Sequence, residues 1–181
     1  MLKLTLAIIL LIFIVLFTAS FIGFTLKSIF QPRKRAPYVW TFKRHLKLLK
    51  KLNIKNNTSI IDLWCWDGKV LRFFERTYNL KKLNWYDINP YAILLWKTIN
   101  ILKWKKNISL SHKNFLDINI KWYEYIYLYL RTKQLADIEN RIRKNKNKNT
   151  ILISNSFKFT KHKHFKTIKD SKWKNAIFLY K

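Results

Sequence analysis

The spacing of apolar positions changes character after the first thirty or so residues. Residues 4–26 carry no charge and are dense in Leu, Ile, Phe and Val; as a helix these 23 residues would reach roughly 35 Å, enough to cross a bilayer. A cleaved signal peptide would instead show an apolar region of about 7–15 residues and then a small-x-small site. Neither feature is clear here. A buried core helix is the remaining alternative, and the length and N-terminal position argue against it. Lys27, Arg33, Lys34 and Arg35 follow the span while Lys3 alone precedes it. The positive-inside rule therefore predicts a single-pass protein of the cell membrane with the rest of the chain in the cytoplasm. The expected organisation is an anchor over 1–30, a basic linker over 31–36 that contains Pro32, and one domain over 37–181.

Beyond the linker the pattern alternates. Phe42, Leu46, Leu49 and Leu52 recur at helical spacing among Lys and Arg, which predicts an amphipathic helix. Short apolar or aromatic runs at 58–63, 83–86, 108–111, 125–130, 151–154 and 176–180 read as strands. Helical patterns at 70–78, 90–102 and 133–143 separate several of them, and a basic hairpin-like stretch precedes the last. Strands joined by crossover helices predict an α/β fold, a Rossmann-like, doubly wound and mostly parallel sheet behind the N-terminal transmembrane helix. Ligands of such sheets bind beyond the carboxyl ends of the strands, where strand order reverses. The loops after the first two strands are thus the places to look for chemistry.

Composition narrows the picture further. The chain has 181 residues, room for one domain and an attachment, and its 49% hydrophobic content supports a packed core. Lys and Arg number 37 against 9 Asp and Glu, a formal charge of +28. That excess fits a polyanionic partner, but the abundance of Lys and Asn also fits an AT-rich gene, so part of it can be codon drift. A single Cys excludes an intramolecular disulfide framework. Only 2 Gly stand beside 8 Trp, where ordinary usage would give on the order of a dozen glycines.

The tryptophans stand where glycines are expected. The first strand runs through Asp62 and Leu63 into Trp64-Cys65-Trp66-Asp67-Gly68-Lys69, and a helix follows. With Gly at 64 and 66 the loop becomes Asp-Leu-Gly-Cys-Gly-Asp-Gly-Lys, which resembles motif I of the class I (seven-β-strand) S-adenosylmethionine-dependent methyltransferases. Such a loop must turn sharply and let its backbone approach the ligand, which an indole would block. We expect most or all of the eight Trp to be UGA codons that the source reads as glycine, a code used in some bacterial lineages. Gly at 85 would then enter Asp87, Gly at 104 would end a helix, and Trp40, Trp122 and Trp173 fall in turn-like contexts. Asp87 closes the second strand 19 residues after Gly68, the usual spacing for an acid that bonds a ribose.

The likeness extends from Pro37 to the C-terminus. Ala36-Pro37-Tyr38-Val39-Trp40-Thr41 is similar to the Pro-aromatic-Val-Pro-Thr opening of a small family of protein-lysine N-methyltransferases, many of whose short bacterial members have one N-terminal membrane span. Tyr129-Leu130 looks like that family's aromatic-Tyr-Leu fourth strand, and Ser154-Asn155-Ser156-Phe157 like its Ser-x-x-Phe fifth. The closing Ile177-Phe178-Leu179-Tyr180 also fits. The resemblance implies S-adenosylmethionine as cofactor, with Asp62, Trp64, Cys65, Trp66 and Gly68 beside its methionine and nucleoside. It puts Asp87 on the ribose, Ile88 against the adenine, and Asn114-Phe115 where the family has an acid and an aromatic residue. It further implies a protein partner offering a lysine side chain, with Tyr129 at the reacting amine and Thr41 and Tyr38 closing over the cofactor. Arg131-Thr132 departs from the Leu-Pro that often follows the Tyr-Leu pair, and Trp40 replaces a Pro, so the acceptor side is less well matched than the cofactor side.

Other chemistry finds weaker support. Asn89-Pro90-Tyr91 is similar to the Asn-Pro-Pro-aromatic signature of adenine-N6 methyltransferases but follows the second strand rather than the fourth, and Pro near a helix start is routine. His112, His162 and His164 lack Cys or carboxylate partners at metal spacing. No triphosphate-binding Gly-x-x-x-x-Gly-Lys-Ser/Thr loop occurs. Two rivals remain: a tethered basic module that binds nucleic acid or anionic lipid through residues 141–148 and 158–174, and a methyltransferase acting on a lipid or small molecule.

Overall fold

The computed structural model forms two compact units, Met1–Ala36 and Pro37–Lys181. It describes residues 2–29, 41–63, 68–87, 93–94, 97–98, 108–113, 117–170 and 175–181, the side chains of 2, 24–29, 87 and 112 apart. In the first unit α1, Leu2–Ile29, is one helix whose segment Lys3–Gly23 is long and apolar enough to cross a membrane. The hydroxyl of Thr18 donates to the carbonyls of Ile14 and Val15, both at 2.9 Å, so this polar group is satisfied within the helix.

The second unit is a seven-stranded sheet. Its elements are α2 (Lys43–Leu49), β1 (Ser59–Asp62), α3 (Lys69–Thr77), β2 (Lys82–Asp87), β3 (Ile108–His112), β4 (Tyr125–Leu128), α4 (Thr132–Asn145), β5 (Ile151–Asn155), β6 (Lys166–Lys169) and β7 (Ala176–Tyr180). The strand order is β3-β2-β1-β4-β5-β7-β6. β1 to β5 pair in parallel, and β7 runs antiparallel to both of its neighbours. The central strands are covered on both faces: Ile60, Ile61, Ile126 and Leu128 are fully buried, as parallel strands between helical layers require. Strand order reverses at β1, so the switch point lies at its carboxyl end.

Three local features depart from the sequence pattern. The first helix of the domain begins at Lys43, and Phe42 is its extended N-cap with a ring 47% exposed. Leu49 and Leu52 are buried and Leu46 packs against the core as the spacing predicts, while His45 and Leu48 widen the buried face and Phe42 alone of the expected stripe stays exposed. The fourth strand stops at Leu128, because Tyr129 and Leu130 leave the ladder to reach α4. β6 has a single buried residue, Ile168, beside exposed Lys166 and Lys169, a lysine-guarded edge with no apolar run to reveal it. Of the helical pattern over 90–102, only residues 93, 94, 97 and 98 are described, and all are helical.

One buried carboxylate organises the chain between β5 and β6. Glu139, on the inner face of α4, is 1% exposed. It accepts hydrogen bonds from the Thr160 amide (3.1 Å) and hydroxyl (2.8 Å), the Lys161 amide (2.7 Å) and His162 Nδ1 (2.8 Å). Burial pushes this carboxyl up, but the bonds from His162, Thr160 and Lys161 outweigh it and hold the group below its ordinary value. A depressed folded-state value stabilises the fold above the unfolded carboxyl range, and that contribution is lost as pH falls through the folded value. Glu139→Ala leaves the part-buried amides of Thr160 and Lys161 and the His162 ring without their acceptor and should cost roughly 3 kcal/mol. Urea unfolding of residues 37–181 should show this loss at pH 7, and the gap between wild type and variant should narrow below about pH 4.

Candidate functional site

The carboxyl edge of the parallel strands holds Asp62, Gly68 and Asp87 among the described residues that the sequence singled out. Asp62 is the last residue of β1, 1% exposed, and stands in register with Trp85 on β2 and Tyr127 on β4. Asp87 ends β2 opposite His112 of β3. Gly68 precedes α3 as its N-cap with φ +61°, the left-handed region that only glycine enters without strain. A Cβ there would lie 2.9 Å from Arg72 Nη1, the movable end of a side chain, and 3.0 Å from the Trp85 indole, so it is the positive φ that asks for glycine, and Trp at 85 that makes the position tight.

Trp85 and Trp122 are the described tryptophans. Trp85 is 1% exposed, with its indole against Gly68; Trp122 is 78% exposed in a turn. Neither has a positive φ: outside glycine, among the described residues, only Asn57 and Ser156 do. A left-handed backbone is thus not what these two positions ask for. At Trp85 the matter is volume beside the loop. Trp64, Cys65, Trp66, Ile88, Asn114 and Phe115 lie outside the described residues, as does Tyr38.

A second cluster sits at the ends of β4, β5 and the start of β7. Tyr129 is half-buried; its ring meets His45 edge-on (5.3 Å, 88°) and Phe157 at 6.4 Å. Burial raises its phenol above the ordinary value, against the hydrogen bond with Ser156 and the Arg44 charge. Phe157 is held by a tight turn in which the Ser154 hydroxyl donates to its carbonyl at 2.6 Å, which gives the Ser-x-x-Phe spacing a structural meaning. Asn155 donates to the Tyr127 hydroxyl at 2.9 Å, fixing the same strand end from within.

Thr41 is 6% exposed, and its carbonyl accepts from Lys69 Nζ at 2.6 Å. This bond ties the segment before α2 to the residue that follows Gly68. The structure therefore places Thr41 next to the loop side of the edge and Tyr129 beside α2, with α2 between them in the chain. Sequence reasoning missed His45, Lys69 and Asn175. His45 was legible as the residue three and four positions before Leu48 and Leu49, whereas Asn175 has no local signal and reaches the site only through the antiparallel return of β7.

No protein-family model matches the sequence, and no curated protein matches it either. Solved structures do resemble the fold. An RNA methyltransferase from Salinibacter ruber in complex with S-adenosyl-L-homocysteine superposes with TM-score 0.68 at 15% identity, over 78% of this chain and 92% of its own. A ribosomal protein L11 methylase from Lactobacillus delbrueckii subsp. bulgaricus gives 0.63 at 11% identity, over 84% and 89%. A variant of MtNAS in complex with S-adenosylmethionine gives 0.65 at 12% identity, over 76% and 62%. At such identities the likeness speaks for architecture: the chain has a mixed α/β, seven-stranded, Rossmann-like methyltransferase fold.

Proposed function

We propose that the protein is an S-adenosylmethionine-dependent methyltransferase whose acceptor is a protein lysine amine near the cytoplasmic membrane surface. The observation that carries this reading is the side-chain-free turn at Gly68 after a buried β1 that ends in Asp62, at the switch point of a methyltransferase sheet. A nucleoside ligand needs such close backbone approach, and the turn at Gly68 suits the cofactor in that respect. Asp62, Gly68 and the loop between them would hold it, Asp87 would accept from its ribose hydroxyls, and residues 88 and 114–115 would face its base. When bound, S-adenosylmethionine supplies an electrophilic methyl group.

The acceptor side is the Tyr129 cluster. Burial disfavours an ammonium and favours the neutral amine, which alone has the lone pair to attack. Thr41, tethered to Lys69, would close the loop side. The apolar helix, read as an anchor, and the six-residue linker 31–36, which reaches at most roughly 21 Å when extended, would keep the domain close to the bilayer. Tethering of this kind raises the effective concentration toward membrane-bound acceptors.

Glycine at the tryptophan positions belongs to the same proposal. Support comes from Trp85, whose indole fills space directly beside Gly68 that a glycine would leave open. Calorimetry should find S-adenosylmethionine binding to residues 37–181 made with Gly at all eight positions and none to the chain made with Trp; equal binding by the two would refute the recoding. UGG codons at 64 and 66 in the gene would do the same.

In the form that binds, Asp87→Ala should weaken affinity by roughly 1.5–3 kcal/mol, the range for hydrogen bonds to a charged acceptor, with folding retained. Normal affinity would mean that Asp87 does not touch the ribose. Removing residues 1–30 should preserve radiolabelled methyl transfer into soluble test proteins and reduce it into membrane proteins. Label confined to RNA or lipid would move the acceptor to another class.

A further inference from the structure

The histidine in the acceptor cluster has one nitrogen engaged and one not. His45 is 2% exposed. Its Nε2 lies 3.2 Å from Asn175 Oδ1, and an amide oxygen only accepts, so Nε2 carries the hydrogen and Nδ1 bears a lone pair. Nδ1 is buried and has no hydrogen-bond partner among the described residues. Buried acceptors without partners are uncommon in folded proteins and often mark a place where a ligand group completes the bonding.

Two further observations place the imidazole. Tyr129, at the end of β4, stands edge-on to the imidazole, and Phe42 does the same at 5.9 Å, so the ring is fixed between aromatic walls. Asn175 comes from the start of β7, whose Ala176 carbonyl accepts from the Ser156 amide at 2.8 Å beyond the end of β5. His45 thus lies at the carboxyl edge, where the sheet presents its ligands.

We propose that His45 Nδ1 is the hydrogen-bond acceptor for the N–H of the methyl-accepting amine, and that Asn175 sets the tautomer that makes it one. The inference rests on the reading of the protein as an amine methyltransferase and names the residue that orients its substrate. In the transfer, the amine lone pair forms the new N–C bond while the S–C bond breaks and its electron pair stays on sulfur. The nitrogen remains hydrogen-bonded to His45 through an N–H that does not react, so the imidazole directs the lone pair and need take no proton. Burial lowers the His45 pKa; the Asn175 bond opposes that, and the Arg44 and Lys69 charges reinforce it. The ring is accordingly kept neutral, as an acceptor must be.

The test uses the full chain in the form that binds S-adenosylmethionine. Nitrogen-15 NMR of the histidines should show His45 protonated at Nε2, and addition of N-acetyl-lysine amide should shift Nδ1 more than Nε2. His45→Phe keeps the aromatic packing and should retain cofactor affinity within about twofold, with kcat/KM for methyl transfer down about tenfold, the value of one such hydrogen bond. His45→Asn, whose amide can accept near the Nδ1 position, should recover part of that loss. Transfer by His45→Phe at the wild-type rate, a hydrogen on Nδ1, or an Nδ1 signal unmoved by saturating N-acetyl-lysine amide would each overturn the proposal. Failure of the underlying reading looks different: the unsubstituted chain would itself bind no cofactor or transfer no methyl group. The NMR result needs no transfer, and it stands or falls even if His45→Phe does not fold.

Discussion

The chain leaving β1 must pass from an extended strand into a helix at the one edge of the sheet where strand order reverses, and it enters α3 through a left-handed residue. Gly68 meets that demand without strain, with Arg72 on one side and the Trp85 indole on the other. The position of α3, and of Lys69 at its start, follows from that turn. Through Lys69 the Thr41 carbonyl is held, and with it the segment that leads into α2. α2 in turn is fastened from α3, because the Tyr78 hydroxyl reaches the carbonyls of Leu49 and Leu52, both at 2.8 Å, near the end of the short helix. A seven-residue helix has little stability of its own, so these tertiary ties are what orient His45.

The other half of the edge is held by polar groups in pairs. Ser154 and Asn155 bond inward from β5, and Glu139 gathers the following loop onto α4. Such groups are costly if left unpaired in a low-dielectric interior, so each bond that forms also selects one loop conformation. Tyr129, His45 and Phe157 thereby stand in a rigid aromatic setting built from elements far apart in sequence. The lysines at 158, 161 and 163 remain exposed on that loop, while its buried members, Phe159 against Tyr180 at 4.7 Å, belong to the core. The interleaved aromatics of this basic segment are therefore not all free for stacking on bases, which weakens the rival reading of the segment as a nucleic-acid surface.

Where hydrophobic period and turn chemistry are local, the sequence was enough to predict them. The apolar helix, six of the seven strands, α3, α4 and the mostly parallel sheet all follow from such patterns, as does the glycine turn at 68. β6 escaped because a lysine-rich edge strand with one buried residue has no period to detect, and the buried His45 on the α2 face was missed because a histidine counts as polar in sequence. Only the tertiary structure could bring Asn175 to His45, 130 positions apart, or show that the Glu139 carboxylate is satisfied by the β5–β6 loop. Contacts of that range are determined by which strands neighbour one another and by the antiparallel return of β7, and neither quantity is encoded in any window of the chain short enough to carry a local pattern.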